Sequence, residues 1–488
     1  MTAMSTRLAL LPRPDERLSA LDRLEVLTDP GSLHLLRTGV RSSRMGGRAV
    51  DGDGVVGASG TVDGRPVACF AQDASFAGGS LGEAHADTVI RVLDLAGRAR
   101  MPVVGFIESA GARMQEGVAA LAGYGRIFRA HTRLSGVVPQ ISVVCGASAG
   151  GGSYAPALTD LVVMTRRASM FLTGPGVVQE VTGEDVDAAT LGGPGVHERN
   201  GVCHAVAETE VDAALLARDL LDHLPQHSGE LPLRWPTVDP LPGSPGAVVP
   251  AEDRKVYDVR HVAARIVDGG RLVEVGERWA RNMVTAFARL DGRAVGIVAN
   301  QPRYLGGVLD SEAAAKAARF VRTCDLFGLP LVVLVDTPGF LPGTAQERSG
   351  VIRHGAKLVH AFAGAGVPRA TVVLRKAFGG AFIAMNSKDL GSDLVIAWPT
   401  ARLGVMGAEQ AVGIVSRRDI EAADDPVRER KRFAREYERT HLDVRAATAG
   451  GFVDEIVEPA ATRTRLAATF EALAGGHRTP RPGRNIPL

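Results

Sequence analysis

At 488 residues, with 45% apolar and 23% charged residues, the chain has the make-up of a globular protein large enough for more than one buried core. Lys and Arg number 56 against 54 Asp and Glu, a formal charge of +2, so no overall field points to nucleic acid or to an acidic partner. No apolar run approaches the roughly 18 residues of a membrane span, and the first residues lack the apolar stretch of a secretory signal, which predicts a cytoplasmic protein.

In chain order, the pattern predicts a helix over residues 15–27, closed by Asp29-Pro30-Gly31. Short strands with glycine turns follow from 55 to 70. Residues 83–99 have helical periodicity, with Ala84, Val89, Val92, Leu93, Leu95 and Ala96 on one face. Apolar strands at 103–107 and 141–145 complete an α/β pattern. Residues 231–250 are so rich in proline that they read as a linker. The division is therefore a first domain of 1–235, a linker of 236–254 and a second domain of 255–488. The second half repeats the pattern, with strands at 293–300, a helix at 311–327 and strands at 331–335 and 371–374. A charged helix at 421–439 reads as a solvated face of i,i+4 pairs, with a basic docking surface as the alternative. Cys69, Cys145, Cys203 and Cys324 form no Cys-x-x-Cys pair, so they read as small buried apolar side chains rather than metal ligands or disulfides.

The most informative feature is an internal repeat. Asp63 and Asp291, Gly78 and Gly306, Pro102 and Pro330, and Gly111 and Gly339 each stand 228 residues apart in similar surroundings. The copies then reach Ile141-Ser-Val-Val-Cys-Gly-Ala-Ser-Ala-Gly150-Gly151 and Ala370-Thr-Val-Val-Leu-Arg-Lys-Ala-Phe-Gly379-Gly380, with the paired glycines 229 apart. A repeat of this length is a duplicated domain.

A strand that runs into Gly-Gly and then a helix presents backbone N–H groups without helical partners. Without a Cβ, a carbonyl oxygen can approach them closely. That is the recipe for an oxyanion hole, where one donor is worth about 2.7–4 kcal/mol of transition-state stabilisation. A tight turn that binds nothing uses the same residues, but two copies at matching positions favour chemistry. Gly146-Ala-Ser148-Ala-Gly150 also matches a Gly-x-Ser-x-Gly nucleophile elbow, which leaves a serine esterase at Ser148 as a rival. The second copy has Lys376-Ala377 in that place, so the duplication keeps the glycines and drops the hydroxyl.

At these residues the chain resembles the carboxyltransferase (β) subunits of biotin-dependent acyl-CoA carboxylases, the propionyl-CoA and acetyl-CoA carboxylase group. The resemblance includes Gly78-Gly-Ser-Leu-Gly-Glu-Ala-His85, Gly111-Ala-Arg-Met-Gln-Glu-Gly117, Tyr154-Ala-Pro-Ala-Leu-Thr-Asp160, Asp336-Thr-Pro-Gly-Phe-Leu-Pro-Gly343, Lys376-Ala-Phe-Gly-Gly-Ala381 and Asn485-Ile-Pro-Leu488. It implies an α/β fold of two tandem crotonase-like domains and a hexamer of face-to-face dimers. It implies CO2 transfer from carboxybiotin to the α-carbon of a short-chain acyl-CoA such as acetyl-CoA or propionyl-CoA, giving malonyl-CoA or its methyl homologue for fatty acid or polyketide synthesis. By the same resemblance the backbone amides of Gly150, Gly151, Gly380 and Ala381 are the oxyanion donors, one pair for the thioester and one for the biotin ureido oxygen. Arg113 is expected at CoA phosphate, with a surface ion pair as the alternative; Ile383 is expected at the acyl pocket, with ordinary helix packing as the alternative; and Gly111 and Gly339 are expected beside the substrate. No metal site is implied. No Ala-Met-Lys-Met biotinyl site is present, which implies a separate biotinylated α subunit.

The chain departs from the family at Glu108-Ser-Ala110-Gly111, Gly176, Gln410 and Thr440-His-Leu-Asp443, but not at the donor glycines. A decarboxylase or transcarboxylase running the same half-reaction in the other direction, and a non-catalytic β paralogue in a mixed complex, remain alternatives.

Overall fold

The computed structural model describes residues 17–252, 254–474, 483 and 485. It divides into two units, one made of the chain up to Pro232, the other running from Leu233 to Thr479. Asn485, near the C-terminus, belongs with the first: its carbonyl accepts from Ser135 Oγ at 2.9 Å and its amide donates to Asp160 at 3.3 Å.

The strands of the first unit are β1 (His34–Leu36), β2 (Val55–Val62), β3 (Arg65–Gln72), β4 (Val103–Ser109), β5 (Gln140–Ala149), β6 (Leu161–Thr165), β7 (Ser169–Phe171) and β8 (Ala205–Ala207). They form one sheet in the order β1-β2-β3-β4-β5-β6-β8, with β7 also on β5. In the second unit β9 (Val273–Glu274), β10 (Met283–Leu290), β11 (Arg293–Asn300), β12 (Leu331–Thr337), β13 (Arg369–Phe378), β14 (Leu394–Ala397), β15 (Arg402–Gly404) and β16 (Glu455–Ile456) form the same sheet, β9-β10-β11-β12-β13-β14-β16 with β15 on β13. Each sheet opens with an antiparallel hairpin and continues in parallel.

The duplication extends to single residues. The hairpin turns use Asp63 and Gly64 at φ 50° and 76°, and Asp291 and Gly292 at φ 54° and 73°. Two positive-φ residues suit the right-handed twist of the flanking strands. The register of β4 against β5 slips between Ile107 and Ser109, and that of β12 against β13 slips between Val335 and Thr337. Ala77-Gly78-Gly79 and Leu305-Gly306-Gly307 are left-handed throughout. A Cβ at Gly79 would stand 2.1 Å from the Glu108 carbonyl oxygen, and one at Gly307 would stand 2.5 Å from that of Asp336. Only glycine lets the loop cross the strand end so closely.

Parallel strands require crossovers, and helices Glu83–Ala99, Val118–Leu134, Ser311–Leu326 and Val351–Gly364 supply them. In the first, Val89, Val92, Leu93 and Ala96 are buried as the periodicity predicts, whereas Ala84 and Leu95 are only half-buried and His85, Ala86 and Thr88 complete the inner face. Helix N-termini in both units are closed from a distance. Glu116 accepts from the Glu83 amide at 2.7 Å, and Gln346 from the Ser311 amide at 3.2 Å. All four cysteines are free and buried.

Several boundaries differ from the sequence reading. The first described helix is Ala20–Leu27, started by a Ser19–Asp22 capping box, so it begins later than residue 15, which lies outside the described residues with 16. The proline-rich stretch packs on the second unit, where Trp235 donates to Gly292 at 2.9 Å and Leu241 to Ala264 at 3.1 Å. The charged helix at 421–439 is two helices, Arg417–Glu421 and Pro426–Tyr437, because Asp425 caps and Pro426 starts the second. No described helix is long and apolar enough to cross a membrane.

Candidate active site

Each sheet delivers its longest parallel strand into a glycine turn. In the first unit β5 ends at Ala149, Gly150 turns at φ 57°, and the helix Gly151–Ala157 follows. Ser153 fastens this turn, its hydroxyl donating to the Ser148 carbonyl at 2.6 Å while accepting from the Phe171 amide at 3.1 Å. In the second unit β13 ends at Phe378, Gly379 turns at φ 62°, and the helix Gly379–Ala384 follows. Helices this short have little macrodipole, so the individual amides matter most.

The open donors are not quite those expected. Gly150 donates its amide to the Phe171 carbonyl at 3.0 Å, so it is tied into the β5–β7 pairing. The amides of Gly151 and Gly152 open the helix and have no acceptor within it. In the second unit the same holds for Gly380 and Ala381. The 229-residue spacing already carries this correction: it aligns Gly380 with Gly151 and Ala381 with Gly152, the residue that the sequence reading missed.

The two strand-end turns lie against these sites. A Cβ at Gly111 would stand 3.3 Å from the Ala149 carbonyl oxygen, and one at Gly339 would stand 3.9 Å from that of Phe378. Gly111 accepts from the Leu81 amide at 2.8 Å and Gly339 from the Leu309 amide at 3.0 Å, which fixes both turns. Ile383, three residues into the second helix beyond Gly380, is 51% exposed and free to meet a ligand or a partner.

Arg113 is not placed for a phosphate. Its side chain is fully buried, donating to Asp53 at 2.6 Å, to Glu116 at 2.9 Å and to the Ser80 carbonyl at 2.9 Å. It is an internal tie between loops, and burial with two carboxylates accounts for the arginine.

The serine reading also fails. Ser148 Oγ is buried and has no hydrogen-bond partner, so no histidine is in place to take its proton. A Cβ at Gly152 would stand 3.0 Å from Ser148 Oγ and 3.4 Å from the Tyr124 hydroxyl, which shares a hydrogen bond with Ser109 at 3.3 Å.

The chemistry available is therefore main-chain. Two pairs of amides, one in each unit, end strands of the same topology and are fixed by a second glycine turn. The chain matches the family model of the carboxyl transferase domain over residues 12–486. It belongs to the carboxyl transferase family. A relative named as the 12S subunit of methylmalonyl-CoA carboxyltransferase, from Propionibacterium freudenreichii subsp. shermanii, is 47% identical over 475 residues, covering 96% of this chain and 90% of the relative. The carboxyltransferase subunit of propionyl-CoA carboxylase from Haloferax mediterranei is 46% identical, covering 97% and 94%. The alpha subunit of methylmalonyl-CoA decarboxylase from Veillonella parvula is 45% identical, covering 90% and 86%. The solved structure of transcarboxylase 12S, a hexamer with methylmalonyl-coenzyme A and methylmalonic acid bound, matches with a TM-score of 0.92 at 45% identity, covering 99% of this chain and 96% of that one. The crotonase-like fold is thus shared by both halves of this member.

Proposed function

We propose that this chain is the carboxyltransferase subunit of a biotin-dependent acyl-CoA carboxylase, acting on acetyl-CoA or propionyl-CoA with carboxybiotin brought by a separate biotinylated α subunit. The observation that carries the reading is the paired, unpartnered amides at the same point of two duplicated sheets. Loss of CO2 from carboxybiotin would build negative charge on the ureido oxygen, and transfer of the α-proton to the ureido nitrogen would discharge it while the enolate puts negative charge on the thioester oxygen, so two holes match two demands. Gly151 with Gly152, and Gly380 with Ala381, would hold these oxygens. No reactive side chain is needed, which agrees with a buried, unpartnered Ser148 and a structural Arg113.

The exposed apolar residues support assembly. Met114, Val118, Leu121 and Leu172 in the first unit, and Ile352, Val405 and Ile414 in the second, are each more than half exposed. A hexamer of face-to-face dimers, working in the cytoplasm, would cover such residues where they cluster. Relatives at similar identity include carboxylase, transcarboxylase and decarboxylase subunits, so direction follows from the partner rather than from this chain.

The test supplies a biotinylated α subunit, ATP and bicarbonate, and measures kcat/KM for acetyl-, propionyl- and butyryl-CoA. Malonyl-CoA or methylmalonyl-CoA is the expected product. No carboxyl transfer in either direction with any biotinylated partner would overturn the proposal.

A further inference from the structure

We propose that a cleft beside the second glycine turn docks the biotin-bearing partner by recognising acidic residues that flank its biotinyl lysine. This rests on the carboxyltransferase reading. The cleft encloses about 650 Å3 of the second unit. Phe378, the residue before Gly379, lines it, so it adjoins the turn that presents the amides of Gly380 and Ala381.

Its walls carry five cations: Arg254, Arg402 of β15, and Arg430, Lys431 and Arg435 of the helix Pro426–Tyr437. Two carboxylates share it, and one of them, Glu438, is held by Arg402 at 2.6 Å. Arg430 donates to the Glu409 carbonyl at 3.0 Å and Arg435 to the Lys431 carbonyl at 3.3 Å, contacts that orient both guanidinium groups without neutralising them. Arg254, Arg430, Lys431 and Arg435 are all exposed, and among the described residues no carboxylate forms an ion pair with them. Cations gathered in this way repel one another, and an anionic partner relieves the repulsion. The helix then runs into a single π turn, Glu438–Leu442, a distortion that recurs at functional sites. That turn carries Glu438 to Arg402 and Leu442 into the cleft wall.

A protein segment fits this rim better than the phosphates of a free nucleotide. Glu409 stands among the cations, and the largely buried Phe378, Ala434 and Leu442 give the cleft an apolar lining, so it is patterned rather than uniformly basic. A segment alternating acidic and apolar residues around a biotinyl lysine matches it.

The experiment uses the whole enzyme, an acyl-CoA carboxyl donor (malonyl-CoA or methylmalonyl-CoA), and two biotinyl-lysine peptides of equal length, one with Asp and Glu flanks and one with neutral flanks. The readout is the ratio of their kcat/KM values. The wild type is expected to favour the acidic peptide by on the order of tenfold at low salt, with the ratio falling towards one at high salt. The double variant Lys431→Glu, Arg435→Glu is expected to lose the preference or reverse it. A wild-type ratio near one, or a double variant that keeps the preference, overturns the docking proposal. A double variant that raises KM for the acyl-CoA and leaves the peptide ratio unchanged also overturns it and reassigns the cleft to nucleotide phosphate. If the wild type transfers carboxyl to neither peptide nor to free biotin, the carboxyltransferase reading itself falls.

Discussion

The carboxylate of Asp336 and the guanidinium of Arg375 form a buried ion pair at 3.0 Å. Tyr257 donates its hydroxyl to the same carboxylate oxygen at 2.9 Å. One repeat earlier Glu108 takes the same place and pairs with Arg23 at 2.8 Å. Both acids stand one residue before the end of the strand that leads into the glycine turn beside the site, so the pairs fix the backbone on which the amides depend.

Arg375→Met should therefore destabilise the fold by about 3–5 kcal/mol, because it strands a buried carboxylate. Burial already pushes the Asp336 carboxyl up, with Arg375 opposing. Without Arg375 the folded-state value rises further above the unfolded one, so the folded state disfavours the charged acid. The loss should be largest at pH 8 and shrink as pH falls towards 5, where the acid takes up a proton. Urea unfolding across that range measures it. A loss independent of pH would show that the carboxylate stays charged without its partner.

Gly380 and Gly151 occupy equivalent positions but should respond differently to alanine. A methyl at Gly380 would meet nothing nearer than Phe340 at 3.9 Å, and its φ is not left-handed. Gly380→Ala should fold with unchanged Tm yet lose about tenfold to a hundredfold in kcat/KM, since the methyl displaces the reacting oxygen from the amides. A methyl at Gly151 would stand 2.7 Å from the Tyr124 ring, so Gly151→Ala should lower Tm as well as activity. Full activity in Gly380→Ala would remove the second hole from the mechanism.

Arg113→Met should cost stability rather than CoA affinity. Two carboxylates, Asp53 and Glu116, would be left buried without their cation, at about 3–5 kcal/mol. The part of the variant that folds should keep the wild-type KM for the acyl-CoA. A raised KM at unchanged Tm would restore Arg113 as a phosphate ligand.

Ser148→Ala should leave carboxyl transfer intact and stability equal or slightly higher, because a buried hydroxyl without a partner is removed. Loss of any ester or thioester hydrolysis in this variant, with no need for biotin, would revive the nucleophile reading.

Lys316 supplies a pH test of the fold. Its ammonium is buried, donating to the carbonyls of Trp279 at 2.8 Å and Met283 at 2.6 Å, and burial lowers its pKa to about 7. The unfolded chain holds this proton up to about pH 10, so between the two values the unfolded state binds more protons and stability rises with pH. Lys316→Met should flatten that part of the curve. Thermal melts of both proteins between pH 7 and 9 give the difference in slope, and equal slopes would show that Lys316 keeps its proton in the fold.

The duplication, the central strands and the two crossover helices at 83–99 and 311–326 were legible because they are written in local pattern, whereas the helices Val118–Leu134 and Val351–Gly364 were not read. Asp-Gly at both hairpins, Gly-Gly after both strands, and apolar runs of strand length act through nearest neighbours, and so they appear in the chain. The 229-residue spacing even aligned Gly151 and Gly152 with Gly380 and Ala381, the proposed donor pairs. Tertiary structure alone decided that Gly150 lends its amide to Phe171, that Arg113 lies inside, and that the proline-rich stretch packs on the second unit. Each of these depends on a partner that the chain brings close only by folding. A hydrogen bond or a buried charge pair between distant residues leaves no periodic trace in the sequence, whereas a turn or a strand does.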